Sequence, residues 1–118
     1  MASASRRRII GVVPENALDR VAVLADIRDL TAASAPRLER VERTLADGYA
    51  CALGIEAQRL RLQRELEGRA ARLSGGKAGQ VDEVAGLAQG IEQADVELAE
   101  LRAALVELAK MARRLRTS

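Results

Sequence analysis

The strongest constraint on the fold is an apolar stripe in the last third of this 118-residue chain. Apolar side chains recur there at alternating intervals of three and four residues, without interruption. A stripe with this mean period of 3.5 residues makes one α-helix lie along another in a left-handed coiled coil. The sequence therefore predicts a long helix, at about residues 80–116, that needs an apolar partner. The stripe consists of Val84, Leu87, Ile91, Ala94, Leu98, Leu101, Leu105, Leu108, Ala112 and Leu115.

A second stripe of the same period supplies that partner. It predicts a helix over about residues 35–73, and the glycine-rich residues 74–79 predict a turn between the two helices. Facing residues of an antiparallel hairpin have numbers with a constant sum. A sum of 153, as in Ile55 with Leu98, pairs apolar residues along most of both stripes. Because one register serves both stripes, we predict an antiparallel coiled-coil hairpin.

Composition agrees with an elongated all-α fold. The chain has one Tyr and no Phe or Trp, whereas compact cores normally use aromatic side chains that each bury about 150–250 Å². A sequence rich in Ala, Leu, Arg and Glu is typical of long helices and coiled coils. We predict a single helical domain over residues 17–118, in which a short helix at about residues 17–32 precedes the hairpin.

Sequence signals at the ends of the short helix set these bounds. Asn16 is a candidate N-cap, and Ser34 and Pro36 predict a break before the next helix, with Pro36 in the first turn of that helix. The apolar side chains of the short helix point in more than one direction, so one neighbouring helix cannot cover them all.

Residues 1–16 are predicted to form a flexible arm. The arm begins with a basic segment and continues with an apolar, β-branched run from Ile9 to Val13. Pro14 disfavours helix in the residue before it, so we expect this run to be extended. Whether the arm packs back on the hairpin or docks on a partner stays open.

Two arginines interrupt the apolar seam of the second helix. In the predicted register Arg59 faces Ala94 beside Asp95, and Arg69 lies close to Glu83. A polar seam residue costs stability but can fix the register and the choice of partner. We predict that role, and the alternative is a site where these arginines bind a small anionic ligand that carries phosphate.

No catalytic or metal-binding set is visible in the sequence. The chain has no His, and Cys51 is its only cysteine, so the usual general base and an internal disulfide are both excluded. We therefore predict that the chain is not an enzyme and has no cofactor and no metal. The lone cysteine and the lack of an export signal or a long apolar run predict a cytoplasmic protein without a membrane span.

Arginine clusters give a weaker alternative, a nucleic-acid accessory protein. Phosphate contacts need several basic side chains, but the net charge is only +2 and no aromatic side chains accompany the clusters to stack on bases. The clusters are Arg6 to Arg8, then Arg59, Arg61 and Arg64, and finally Arg113, Arg114 and Arg116.

Apolar side chains outside the seam are the main pointer to function. A two-helix coiled coil is too thin to bury them, so they need the first helix, a second copy of the chain or another protein as cover. These side chains are Tyr49, Leu53 and Leu60 on the second helix and Val96, Val106 and Met111 on the third.

We predict a non-enzymatic protein-interaction module that acts as an adaptor, a regulator or an assembly subunit. It would bind a partner protein through the arm, the first helix and the wide apolar face around Tyr49, and it would form a homo-oligomer, most simply a homodimer. The candidate partner-binding residues are Ile9, Ile10, Val12, Val13, Leu24, Ile27, Tyr49, Leu53 and Leu60.

Overall fold

The computed structural model describes residues 13–72 and 78–117, with side chains described over 20–72 and 81–117. These residues form three helices, α1 (Val13–Ala32), α2 (Leu38–Arg72) and α3 (Ala78–Thr117). The helices α2 and α3 pack on each other as a hairpin, and the shorter α1 precedes it. The predicted all-α architecture is therefore confirmed.

The start of α1 differs from the prediction. The helix begins at Val13 rather than near residue 17, so Val13 is helical rather than extended and Asn16 lies inside the helix rather than at its N-cap. A proline in the first turn of a helix is tolerated, because its missing N–H would lack an intrahelical partner there and its φ is already helical. Pro14 therefore belongs to the first turn. The arm residues Ile9, Ile10 and Val12 lie outside the described residues.

The ends of the hairpin helices also shift by a few residues. The first helical residue of α2 is Leu38, so Ser34 and Pro36 lie in the connection after α1 and not in α2. The amide of Val41 donates to the carbonyl of Arg37 at 3.0 Å. After the turn between α2 and α3, helix α3 already includes residues 78 and 79, for which the sequence predicts a turn.

The chain divides into two compact units. Unit 1 comprises residues 1–51 and 104–118, and unit 2 comprises residues 52–103. The described part of unit 1 contains α1, the start of α2 and the end of α3, which is a three-helix arrangement. Its buried side chains are Ile27, Leu30, Val41, Thr44, Leu45, Leu105, Leu108, Met111 and Ala112.

At Gly48 in unit 1, side chains from α1 and α3 approach α2 closely. A Cβ atom at this position would overlap Leu105 Cδ2 on α3 and would lie 3.2 Å from Ile27 Cδ1 on α1. The missing side chain therefore lets both neighbours reach the surface of α2. Gly48 and Leu105 are also a facing pair in the register with a sum of 153 that the two stripes predict.

The described part of unit 2 consists of the two seam helices. Its buried residues, Ala52, Ile55, Ala94, Leu98 and Leu101, occupy the end of the unit away from the turn. Nearer the turn the seam side chains are only half-buried. Two helices offer each other a single contact line, so without a third layer these side chains keep contact with solvent. The half-buried seam residues are Leu62, Leu66, Val84, Leu87 and Ile91.

Candidate interaction surface

In unit 1, large apolar side chains remain on the surface although the seam is buried. Tyr49 is 51% exposed, and Val21 on α1 is 72% exposed. Val106 on α3 is also exposed. Tyr49 directly follows Gly48, which is buried among three helical segments, so the aromatic ring points away from the core of the unit.

In unit 2, exposed apolar side chains occur on both helices. Leu53 on α2 is 66% exposed, and Leu60, seven residues later, shares its face of the helix. Val96 and Val81 on α3 are exposed as well. In unit 2, the positions that the sequence assigned outside the seam, Leu53, Leu60 and Val96, are therefore at the surface.

Two residues depart from the predicted surface. Ile27, predicted to bind a partner, is wholly buried in the core of unit 1, and Met111, predicted to lie outside the buried seam, is buried there too. The physical reason is that α1 adds a third helical segment to unit 1, so positions beside the seam are covered. Leu24, also predicted to bind a partner, is half-buried.

The seam arginines of unit 2 are held by carboxylates of the opposite helix. Arg59 Nε donates to Asp95 Oδ1 at 2.5 Å, and Arg59 Nη1 donates to Gln63 Oε1 at 2.9 Å. Arg69 pairs with Glu83 across the hairpin and with Glu65 on its own helix. Both cross-hairpin partners are the acids that the sequence placed nearby.

Each unit carries a further ion pair between α2 and α3. In unit 1, both Arg116 Nε and Arg116 Nη2 donate to Glu42 Oε2, at 3.0 and 2.9 Å. In unit 2, Arg102 pairs with Glu56. The residue numbers of each pair add to 158, whereas those of facing seam residues add to 153. Within its own unit, each pair therefore lies on the same side of the seam. Exposed ion pairs of this kind add at most about 1 kcal/mol each, so they guide the register more than they stabilise the fold.

The described residues contain no group of Cys, Asp and Glu side chains that could hold a metal ion. No helix among them is long and apolar enough to cross a membrane. Cys51 is a half-buried thiol on α2.

Comparisons of the chain with protein-family models, with curated proteins and with solved structures found no match.

Proposed function

We propose that this chain is a non-enzymatic protein-interaction module, an adaptor, regulator or assembly subunit of the cytoplasm. The observation that carries the proposal is the exposure of large apolar side chains in both units, outside a seam that the chain already completes within itself. Exposed apolar patches on small proteins commonly mark contact surfaces. The hairpin then serves as a rigid mount, and apolar anchors supply the affinity.

Tyr49 is the anchor that we propose in unit 1. Tyrosine is frequent among the residues that dominate interface energetics, because it offers a large apolar ring and a polar tip at low entropic cost. The exposed side chain of Val21 and the N-terminal residues Ile9 to Val13 would add apolar contacts. In unit 2, Leu53 and Leu60 would play the same part, and self-association as a homodimer is included in the proposal.

The ion pairs of unit 2 make the small-anion alternative less attractive. A phosphate that bound Arg59 would have to displace Asp95, and one that bound Arg69 would compete with two glutamates. Nucleic-acid binding has no comparable structural objection, because Arg61, Arg64 and Arg113 are exposed. The experiment below therefore separates a protein partner from a nucleic acid.

The test is affinity capture from an extract of the source organism with the tagged full chain, with and without nuclease. Captured proteins are compared between the parent chain and Tyr49→Gln, and the binding constant of the best candidate is then measured with purified proteins. Val81→Gln is the matched control, because Val81 is similarly exposed but lies outside the proposed surface. We expect at least tenfold weaker binding for Tyr49→Gln, an unchanged constant for Val81→Gln, and little change on raising the salt.

Two results would count against the proposal. Equal binding of the parent and the Tyr49 variant would exclude the apolar anchor. Capture that disappears with nuclease, and binding to generic duplex that falls steeply between low and moderate salt, would favour phosphate recognition instead.

A further inference from the structure

We propose that one flank of unit 1, the open flank, binds a second copy of this chain, so that α2 of each copy packs on α3 of the other. The inference rests on the proposed function, because it names the protein that Tyr49 contacts. In the capture experiment the tagged chain would then retain copies of itself. The open flank consists of Glu42, Ala46 and Tyr49 on α2 and of Val106, Ala109 and Arg113 on α3.

The two flanks of the seam are covered unequally in unit 1. Thr44 and Met111 directly precede seam residues of α2 and α3, and both are buried. Tyr49 and Val106 directly follow seam residues, and both are exposed. Since residues before and after a seam residue point to opposite sides of a helix, α1 covers the first flank and leaves the second flank open.

Both helices present their side of the open flank in the same direction. Each of its six residues directly follows a seam residue, and one residue turns an α-helix by about 100°. These side chains therefore point about a quarter turn away from the seam, and not toward the outer edge of the hairpin. Glu42 and Arg116 both follow seam residues as well, and they form an ion pair across the seam. A single molecule can therefore contact the open flank on both helices at once.

The open flank has the spacing of a second helix-packing seam. Its residues are separated by four and three positions on α2 and by three and four positions on α3. This is the 3.5-residue period of the first seam, which is the period for packing against another helix. Each helix of a square four-helix bundle has two such neighbours, about a quarter turn apart. The second copy would therefore complete a bundle of α2 and α3 from both chains.

Symmetry fixes which residues of the two copies face each other. Homodimers are most often two-fold symmetric. A two-fold axis parallel to the helices keeps every residue at its own level, so α2 faces α3 of the other copy with nearly the sum of 153 found within the chain. A sum of 155, which is a shift of about 3 Å along the helix, pairs all six residues. The pairs are Glu42 with Arg113, Ala46 with Ala109 and Tyr49 with Val106.

Charge and size are complementary in this register, which is why we assign the open flank to a second copy. Glu42 faces the exposed Arg113 of the other chain, and the large ring of Tyr49 faces the smaller Val106. The alanine pair between them lets the backbones approach closely. Each contact occurs twice about the axis. A two-fold axis across the helices would instead place α2 on α2, where the open flank offers Glu42 no base.

The test begins with sedimentation equilibrium of the purified full chain over a wide range of concentration. We expect reversible association to twice the 12.7 kDa mass of the chain. Val106→Glu should weaken association at least tenfold, because it places a carboxylate against the ring of Tyr49. Circular dichroism should show an unchanged helix content, since Val106 is exposed.

Val96→Glu is the matched control for Val106→Glu. The two valines lie on the same helix and are 54% and 52% exposed, but Val96 lies midway between the seam residues Ala94 and Leu98 and so on the outer edge of α3. The control should associate like the parent. Equal weakening by both variants would overturn the assignment to the open flank.

Charge exchange tests the facing pair Glu42 and Arg113. Exposed ion pairs are individually weak, but two of them form per dimer, so Arg113→Glu should raise the dissociation constant by about 2- to 30-fold. Adding Glu42→Arg to the same chain should restore it, because the exchanged charges attract again. The lost contact of Glu42 with Arg116 of its own chain affects monomer and dimer alike. A double variant as weak as the single one would overturn the register.

Mixed cross-linking identifies the opposing helices. Chains with Ala46→Cys are mixed with chains with Ala109→Cys, both in a Cys51→Ser background, and mildly oxidised. The proposal predicts mainly disulfides between the two kinds of chain. A predominance of 46-to-46 disulfides would mean that two α2 helices pack together and would overturn it.

A chain that stays monomeric at all concentrations would also overturn the inference. The proposed function would then be decided separately by the capture experiment. Capture of a different protein that is lost with Tyr49→Gln would support the proposed function without a second copy.

Discussion

Gly48 shows how a single residue determines packing in unit 1. Glycine in a helix interior is unfavourable by about 1 kcal/mol relative to alanine, so its presence needs a reason. The reason is space, since a Cβ atom would overlap Leu105 Cδ2 and would lie only 3.2 Å from Ile27 Cδ1. Gly54, in contrast, has no atom within 4 Å of its Cβ position.

A pair of alanine substitutions separates these two cases. Gly54→Ala should stabilise the chain by about 0.5–1 kcal/mol, because it improves helix propensity in open space. Gly48→Ala should destabilise it by about 1 kcal/mol net, since overpacking of a core costs about 1–3 kcal/mol and outweighs the same gain in propensity. Urea unfolding followed by circular dichroism measures both values. A stabilised Gly48→Ala would mean that α1 and α3 approach α2 less closely than described.

The ion-pair partners of the seam arginines could be predicted from the sequence because the register of the hairpin could be predicted. Once Arg59 had been placed opposite Ala94, Asp95 was within reach, and the structure pairs Arg59 with Asp95. The burial of Ile27 and Met111 was not predictable in the same way. The heptad pattern describes two helices in contact, and it holds no information on where a third helix packs.

Among the elements, α1 is the helix whose placement depends most on tertiary contacts. Its buried apolar residues in the described part are Ile27 and Leu30, while Val21 is largely exposed. Two residues can hold α1 in place only if both side chains are deeply buried in the core of unit 1. Gly48 provides for this by letting Ile27 approach the backbone of α2.

Ile27→Ala should therefore destabilise unit 1 by about 2–4 kcal/mol, through lost burial and a residual cavity. The matched change Val21→Ala should alter stability by less than about 0.5 kcal/mol, because that side chain lies in solvent. Hydrogen exchange of the amides of α1, together with urea unfolding, measures the difference. Similar exchange in both variants would show that Ile27 does not attach α1 to the rest of unit 1.

The ends of the helices were harder to predict from the sequence than the pairing of the helices. From the sequence, Pro14 predicts the end of an extended segment, yet it lies in the first turn of α1, because proline is compatible with both situations. The hairpin itself could be predicted because its periodicity extends over many heptads. A start signal depends on one or two residues, and neighbouring contacts can easily override it.

At the scale of the whole molecule, function depends on where the seam is completed. If α2 and α3 of one chain satisfy each other, the outer apolar residues are surplus to folding and are available for binding. If the seam forms between chains, the same residues would belong to an extended assembly and the proposed surface would lose its meaning. The proposed function therefore requires that the seam forms within one chain.

The most direct test is a disulfide between two facing seam residues. Ile55→Cys and Leu98→Cys are combined with Cys51→Ser, and the purified chain is mildly oxidised at low concentration and weighed by intact mass spectrometry under non-reducing conditions. The in-chain seam predicts a monomer that has lost two hydrogens, because both side chains are buried in unit 2 and face each other in the register with a sum of 153. Exclusive formation of disulfide-linked dimers would contradict it.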